Sequence, residues 1–302
     1  MKFKNQLLSS LVLFLVFPFI MSCSKTNDIF KTPVKIYSEV NIPDGEYLQY
    51  GNYVNGKKHS DYYLVTKKIT DTTGKTFYKI YFKIIPVSAT NTVSDHYTNW
   101  PAYLIIDPRL GSVLESGGNL KVGDISWAGQ AGMIYWHYQL NQEKGTVDYI
   151  NRIVKKDKTY ENKVQVKINK KLPSEDMWMD LFFGARFMDI PNKGSWSLVI
   201  PAYFNVPMVE TKKETAREEI QTKAGTFKTI KYEGVINFDF PTLLDCIRSA
   251  IVNPDVIKAG SGEGKQEPYT YYVEDSPRRL IIKQHTVAGA GDYILEAISY
   301  VE

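Results

Sequence analysis

Turn sequences interrupt this chain at intervals that leave room for strands and for little else. Asn55-Gly56, Asp71-Thr72-Thr73-Gly74 and Asp107-Pro108 separate residues 46–53, 61–69, 76–85 and 103–106, all rich in Tyr, Val, Ile and Phe. Short strands with tight turns, and few helical crossovers between them, point to an antiparallel meander of hairpins rather than a βαβ design. The pattern resumes at 133–140, 146–154 and 163–168, and again at 196–201, 218–221, 226–238, 269–273, 279–285 and 293–301. The 21 tyrosines fit the same picture, because an amphipathic ring suits a half-buried pleated surface.

Two stretches break the strand rhythm. Ser174 can cap a helix, Glu175 and Asp176 suit its positive end, and Met177, Trp178, Leu181, Phe182 and Ala185 recur at helical spacing, predicting a helix over 174–188. A second helix is expected over 241–252, with Pro241 in its first turn and Leu243, Leu244, Ile247 and Ile251 along one face. The first is apolar on more than one face, which places it between the sheet and something else. Core is the plain reading. Trp178, Leu181, Phe182 and Phe183 are also the residues that would wall a pocket for a lipid or another hydrophobic ligand.

The N-terminus carries an address. Lys2 and Lys4 precede a mostly apolar run over 7–20, the length of a signal-peptide core rather than of a membrane span. Ile20-Met21-Ser22-Cys23 then reads as a lipobox with Cys23 as the acylated residue. Acyl chains at roughly 0.8 kcal/mol per buried methylene would hold the protein on a membrane. The expected layout is a signal peptide over 1–22, an acylated tether over 23–44 containing Pro33 and Pro43, and one β domain over 45–302. The expected location is the bacterial cell envelope, on the outer membrane rather than the inner, since Ser24 and not Asp follows Cys23. Cys246 is the second of two cysteines, so acylation of Cys23 leaves no intramolecular disulfide.

Removal of residues 1–22 leaves 35 basic against 33 acidic residues, a balance that gives no reason to expect nucleic acid as a partner. Charge is concentrated locally: Arg152, Lys155, Lys156, Lys158, Lys163, Lys167, Lys170 and Lys171 stand against Asp157 and Glu161, a local excess of +6. Val164, Val166 and Ile168 alternate with Lys163, Gln165 and Lys167, so one strand face is apolar and the other basic. Lysines commonly protect an edge strand. On a tethered protein, Lys163, Lys167, Lys170 and Lys171 could also meet anionic headgroups.

Catalytic signatures are missing from the sequence. His59, His96, His137 and His285 have no ligand-spaced companions, so neither metal nor cofactor is expected. No Gly-x-Ser-x-Gly elbow occurs, and the glycine-rich run at 260–265 has Gln266 where a phosphate loop needs Ser or Thr after Lys265. The expectation is a non-enzymatic protein; a hydrolase would have to draw two carboxylates from separate strands.

Several segments together resemble a family of exported bacterial proteins, a domain of unknown function related to the LolA/LolB lipoprotein-carrier fold. They are Gly45-Glu46-Tyr47-Leu48-Gln49-Tyr50 with Gly56, Ser112-Val113-Leu114-Glu115-Ser116, the run from Thr222 to Lys231, Tyr271-Tyr272-Val273, Arg279-Leu280-Ile281-Ile282-Lys283 and Tyr293-Ile294-Leu295-Glu296-Ala297. The resemblance implies a mainly β protein with a few helices, built as a curved antiparallel sheet or half-barrel wrapped around one or two helices. Carrier relatives have an apolar concavity, although the stretch 241–264 departs from their compact pattern. Two functions follow as expectations: an envelope lipoprotein that binds a lipid or hydrophobic ligand, or an adhesion or scaffold lipoprotein without a cavity. Protein partners are left open.

Overall fold

The computed structural model describes residues 35–36, 42–89, 95–121, 133–155, 158–168, 182–189, 195–201, 207–238, 269–286 and 291–301. Eight strands follow one another as a meander: β2 (Glu46–Val54), β3 (Lys57–Thr70), β4 (Thr76–Pro86), β5 (Ala102–Asp107), β6 (Ser112–Lys121), β7 (Met133–Asn141), β8 (Thr146–Lys155) and β9 (Lys158–Lys167). Six more form a second run: β11 (Ser195–Pro201), β12 (Pro207–Thr222), β13 (Gly225–Phe238), β14 (Tyr269–Glu274), β15 (Ile281–Thr286) and β16 (Gly291–Tyr300). The last strand closes onto the first long one, with Leu295 opposite Tyr50, so both runs merge into one 14-stranded sheet with β9 and β11 at its edges. Every pairing is antiparallel and the curved sheet stays open.

The expected mainly β, curved antiparallel architecture is therefore what the chain adopts, and the turns explain the register. Asn55 and Gly56 both have positive φ, 50° and 74°, and fill the two-residue loop that pairs Val54 with Lys57. At the next hairpin, Asp71 Oδ1 accepts from Thr73 N at 2.8 Å and Lys75 N at 2.9 Å, tying the tip together. Curvature has a local source as well. Register shifts occur at Asn52/Tyr53, Ile105/Ile106, Glu214/Ala216, Tyr272/Val273 and Leu295/Ala297, and each bulge bends its strand and increases its twist.

Period-two alternation sorts side chains between two faces. Leu48, Tyr50, Tyr62, Leu64, Ile80, Phe82, Leu104 and Leu295 point to the inner face and are buried there. Tyr47, Gln49, Asp61, Tyr63, Tyr81 and Tyr103 occupy the other face and keep partial exposure. The inner face is covered by the segment 182–187, which contributes Phe182, Phe183 and Phe187 to the same core.

The chain departs from the sequence-based helix here. Phe182 is helical, but Gly184–Phe187 is a 3-10 turn, and Met188–Asp189 is a short strand, β10. The reason is pairing: β10 joins β1 (Lys35–Ile36), with Lys35 opposite Asp189. The rest of the 174–188 helix and the whole 241–252 helix lie outside the described residues. Within the stretch read as a tether, Ile42 is fully buried and its N–H donates to Tyr78 Oη at 3.1 Å.

Candidate functional site

Four places in the described structure concentrate polar or aromatic groups. The first is the inner face. Phe182 sits among Tyr50, Tyr62 and Tyr293, with ring centroids 4.8, 5.7 and 5.9 Å away, and Tyr62 meets Tyr293 edge-on at 5.1 Å. Phe182 is 1% exposed and Phe183 is fully buried. Of the four residues expected to wall a ligand pocket, these two are core; Trp178 and Leu181 lie outside the described residues. Beside them Arg186 makes a two-pronged ion pair with Glu46, each side chain 1% exposed.

The second place is the bulge in β16. Leu295 pairs with Tyr50 and Ala297 with Gln49, so Glu296 is the extra residue, re-aimed onto the outer face of the sheet. There its carboxylate accepts from Tyr53 Oη, from Lys58 Nζ at 2.6 Å and from Lys223 Nζ at 2.8 Å. Lys58 Nζ also reaches Asp61 at 2.5 Å, and Gln49 donates to Asp61 at 2.9 Å. Gly51 makes room for this cluster, since a Cβ there would lie 2.7 Å from Glu296 Oε1.

The protonation states in this cluster are held away from neutrality. Burial raises the Glu296 pKa, but the hydrogen bonds from Lys223, Lys58 and Tyr53 outweigh it and hold the carboxyl below its ordinary value. Burial, then the bond to Glu296, pushes Tyr53 up. Burial alone would lower Lys58, yet its bonds to Asp61 and Glu296 raise it; the bond to Glu296 raises Lys223. A general acid or base works best with a pKa near the working pH. All four groups move the other way, so the cluster behaves as a fixed ionic clamp.

The third place is a row of tyrosines across the outer face. Tyr47 and Tyr63 stand 6.2 Å apart, and Tyr81 and Tyr97 5.4 Å apart. Lys79 lies over the rings of Tyr81 and Tyr103, at 4.9 and 5.0 Å. Tyr103 donates to Glu115 at 2.5 Å, and burial together with that bond pushes its pKa up to about 12. Burial likewise pushes Tyr47 up to about 12. The number of tyrosines pointed to half-buried pleated surfaces, but only the register shows that these rings line up.

The fourth is an open groove of about 630 Å³ at the rim of the β3–β4, β5–β6 and β7–β8 turns, with Asp71, Asp107, Glu115 and Asp148 among its lining residues. Each of these carboxylates is already committed. Asp71 ties its own turn, Asp107 pairs with Arg109 at 2.6 Å, Glu115 accepts from Tyr103 and Asp148 from Gln165 at 2.7 Å.

On the basic strand, Lys163 and Lys167 are exposed on edge strand β9, as expected of edge-protecting lysines. Glu161 moderates their charge, accepting from Arg152 at 2.5 Å and Lys163 at 3.0 Å. Lys170, Lys171, Cys23 and Cys246 fall outside the described residues. His285 meets Asp292 at 2.5 Å and His96 stacks on Tyr97 at 4.2 Å, and no group of three metal-ligating side chains occurs among the described residues. No helix among them is long and apolar enough to cross a membrane.

Comparison with protein families and with curated proteins gives no match. Among solved structures the chain is similar to a protein described as exported, with a YmcC-like fold, from Bacteroides fragilis: 9% identity, 85% of this chain and 96% of that one covered, TM-score 0.30. It is also similar to a protein described as a lipoprotein from Parabacteroides distasonis: 13% identity, the same coverages, TM-score 0.29. Likeness at that level lends no independent weight to the LolA/LolB relation.

Proposed function

We propose that this chain is a non-catalytic lipoprotein of the bacterial cell envelope, held by acylated Cys23, that presents the outer face of its sheet to a partner. The observation that carries this reading is the contrast between the two faces. The inner face is filled by Phe182 among Tyr50, Tyr62 and Tyr293, whereas the outer face offers Tyr47, Tyr63, Tyr81, Tyr97 and Tyr103 half-exposed. Tyrosine provides large, rigid, amphipathic contact area at low entropic cost, the property that enriches it at binding surfaces. The clamped protonation states around Glu296 support a structural rather than a catalytic cluster.

The anchor reading rests on Lys2, Lys4, the apolar run to Ile20 and Ser22-Cys23. Eleven residues lie between Cys23 and Lys35, and those twelve steps of chain span about 40 Å when extended. The carrier alternative, with Trp178, Leu181, Phe182 and Phe183 as an acyl pocket, requires Phe182 to leave its aromatic neighbours. Outer-membrane placement follows from Ser24 alone.

Two measurements on cells and on purified protein test this. Labelled palmitate should enter the wild type and not Cys23→Ser, which should move to the soluble fraction. Mass spectrometry of the purified Cys23→Ser protein should find no stoichiometric lipid. Co-purifying lipid at one per chain would overturn the scaffold reading in favour of the carrier, and a membrane-bound, unlabelled wild type would overturn the anchor.

A further inference from the structure

The β12–β13 hairpin is longer than the sheet that supports it. Strand β12 pairs with β11 only as far as Lys213, and β13 pairs with β14 only over 229–234. Residues 216–228 therefore form a two-stranded ribbon with no third strand beside it among the described residues. At the root of this ribbon β12 carries a bulge, the register passing from Glu214 to Ala216 opposite Tyr232 and Lys231. A bulge interrupts the ladder and is the natural place for such a ribbon to bend.

The ribbon does bend, and its tip reaches the far side of two strands. Lys223, at the turn, places Nζ 2.8 Å from Glu296 Oε1 on β16 and 3.4 Å from Tyr53 Oη on β2, although β14 and β15 stand between β13 and β16 in the sheet. Behind the tip, Phe227 is 8% exposed and joins the core, with Ile220 and Ala224 partly buried against it. Arg217, Glu218, Glu219 and Gln221 remain exposed along the ribbon. The root is held separately, because Asp275 N donates to Lys228 O at 2.8 Å and Arg217 pairs with Asp275 at 2.9 Å.

We propose that residues 216–228 are a hinged strap, pivoting at the Thr215 bulge, which the Lys223–Glu296 contact latches shut at the β16–β2 junction, Lys223 reaching the outer-face cluster while Phe227 packs into the core. Lifting the strap uncovers Glu296, Tyr53 and Lys58 together with the apolar seat of Phe227. A ribbon without lateral strands opens as a local unit, independently of the sheet that carries it. Nothing in this device depends on the anchor or on the identity of a partner.

Amide hydrogen exchange of the full chain, read by mass spectrometry, tests the strap. Lys223→Met removes the latch at an exposed turn residue, and Glu296→Gln removes it from the other side while keeping the side-chain volume. Both should speed exchange over 217–228 roughly tenfold, as expected for losing a charge-assisted hydrogen bond in a locally opening unit. Exchange over 229–234 and in β2 to β4 should stay unchanged in Lys223→Met. Unchanged ribbon exchange in both variants would overturn the latch, and faster exchange spreading through β13 to β16 in Lys223→Met would make the hairpin an ordinary part of the core.

Discussion

Arg186 donates through both terminal nitrogens to the carboxylate of Glu46, and the two side chains, 140 residues apart in sequence, are each 1% exposed. The pair fixes the segment 182–187 against the first residue of β2. A buried pair has already lost its hydration, and Arg186 Nε finds no acceptor among the described residues. Arg186→Met should therefore cost about 3–5 kcal/mol by stranding Glu46, whereas Glu46→Leu combined with Arg186→Met should recover most of that loss. Urea unfolding of the three proteins checks it: additive losses in the double variant would contradict the pair.

Phe182 is where the core and carrier readings of the inner face give opposite numbers. Packed against three tyrosine rings, its truncation in Phe182→Ala should cost about 3–5 kcal/mol. A residue lining a ligand-filled pocket would lose far less stability and would instead change the lipid recovered with the protein. Thermal unfolding of wild type and variant, alongside lipid extraction, separates the two. A loss below about 1 kcal/mol would count against core packing.

The strands were legible because their signals are local. Asn55-Gly56 announced its hairpin, and the Tyr-, Val-, Ile- and Phe-rich runs 46–53, 61–69 and 76–85 fall within β2 to β4. Strand β6 was hard to read because Gly117 and Gly118 lower strand propensity; they are present for close approach, a Cβ at Gly118 lying 2.6 Å from Pro101 O. The charged sequence of β12 between Thr211 and Glu219 hid a 16-residue strand, since charged residues at successive positions leave no hydrophobic period. The clamp around Glu296 left no trace at all. It assembles residues 53, 58, 61, 223 and 296, and only the bulge turns Glu296 outward.

Gly291 tests the junction at which the two runs of strands meet. It opens β16 with φ +83°, and a Cβ there would lie 2.1 Å from Tyr53 O, a backbone atom that cannot yield cheaply. Gly56 has a similar φ, +74°, but nothing within 4 Å of the added carbon. Gly56→Ala should then cost about 1–2 kcal/mol for the conformation alone. Gly291→Ala should cost clearly more, and chemical denaturation that ranks the two equally would show that the β16–β2 approach is looser than described.

Acid should loosen the Glu296 clamp in a definite direction. Its folded pKa is depressed below the ordinary 4.5, so its contribution is fully present above that value and is lost as pH falls through the lower folded one. Lys58 and Lys223, with pKa values raised, stay charged throughout that window. Glu296→Gln should be about 1 kcal/mol less stable than wild type at pH 7, a figure kept small because Lys223 is 66% exposed. The difference should persist down to about pH 5 and then shrink toward pH 3, as wild-type Glu296 takes up its own proton. Urea midpoints measured at intervals across that range give the curve. A gap that stays constant with pH would mean that the clamp contributes through shape rather than charge.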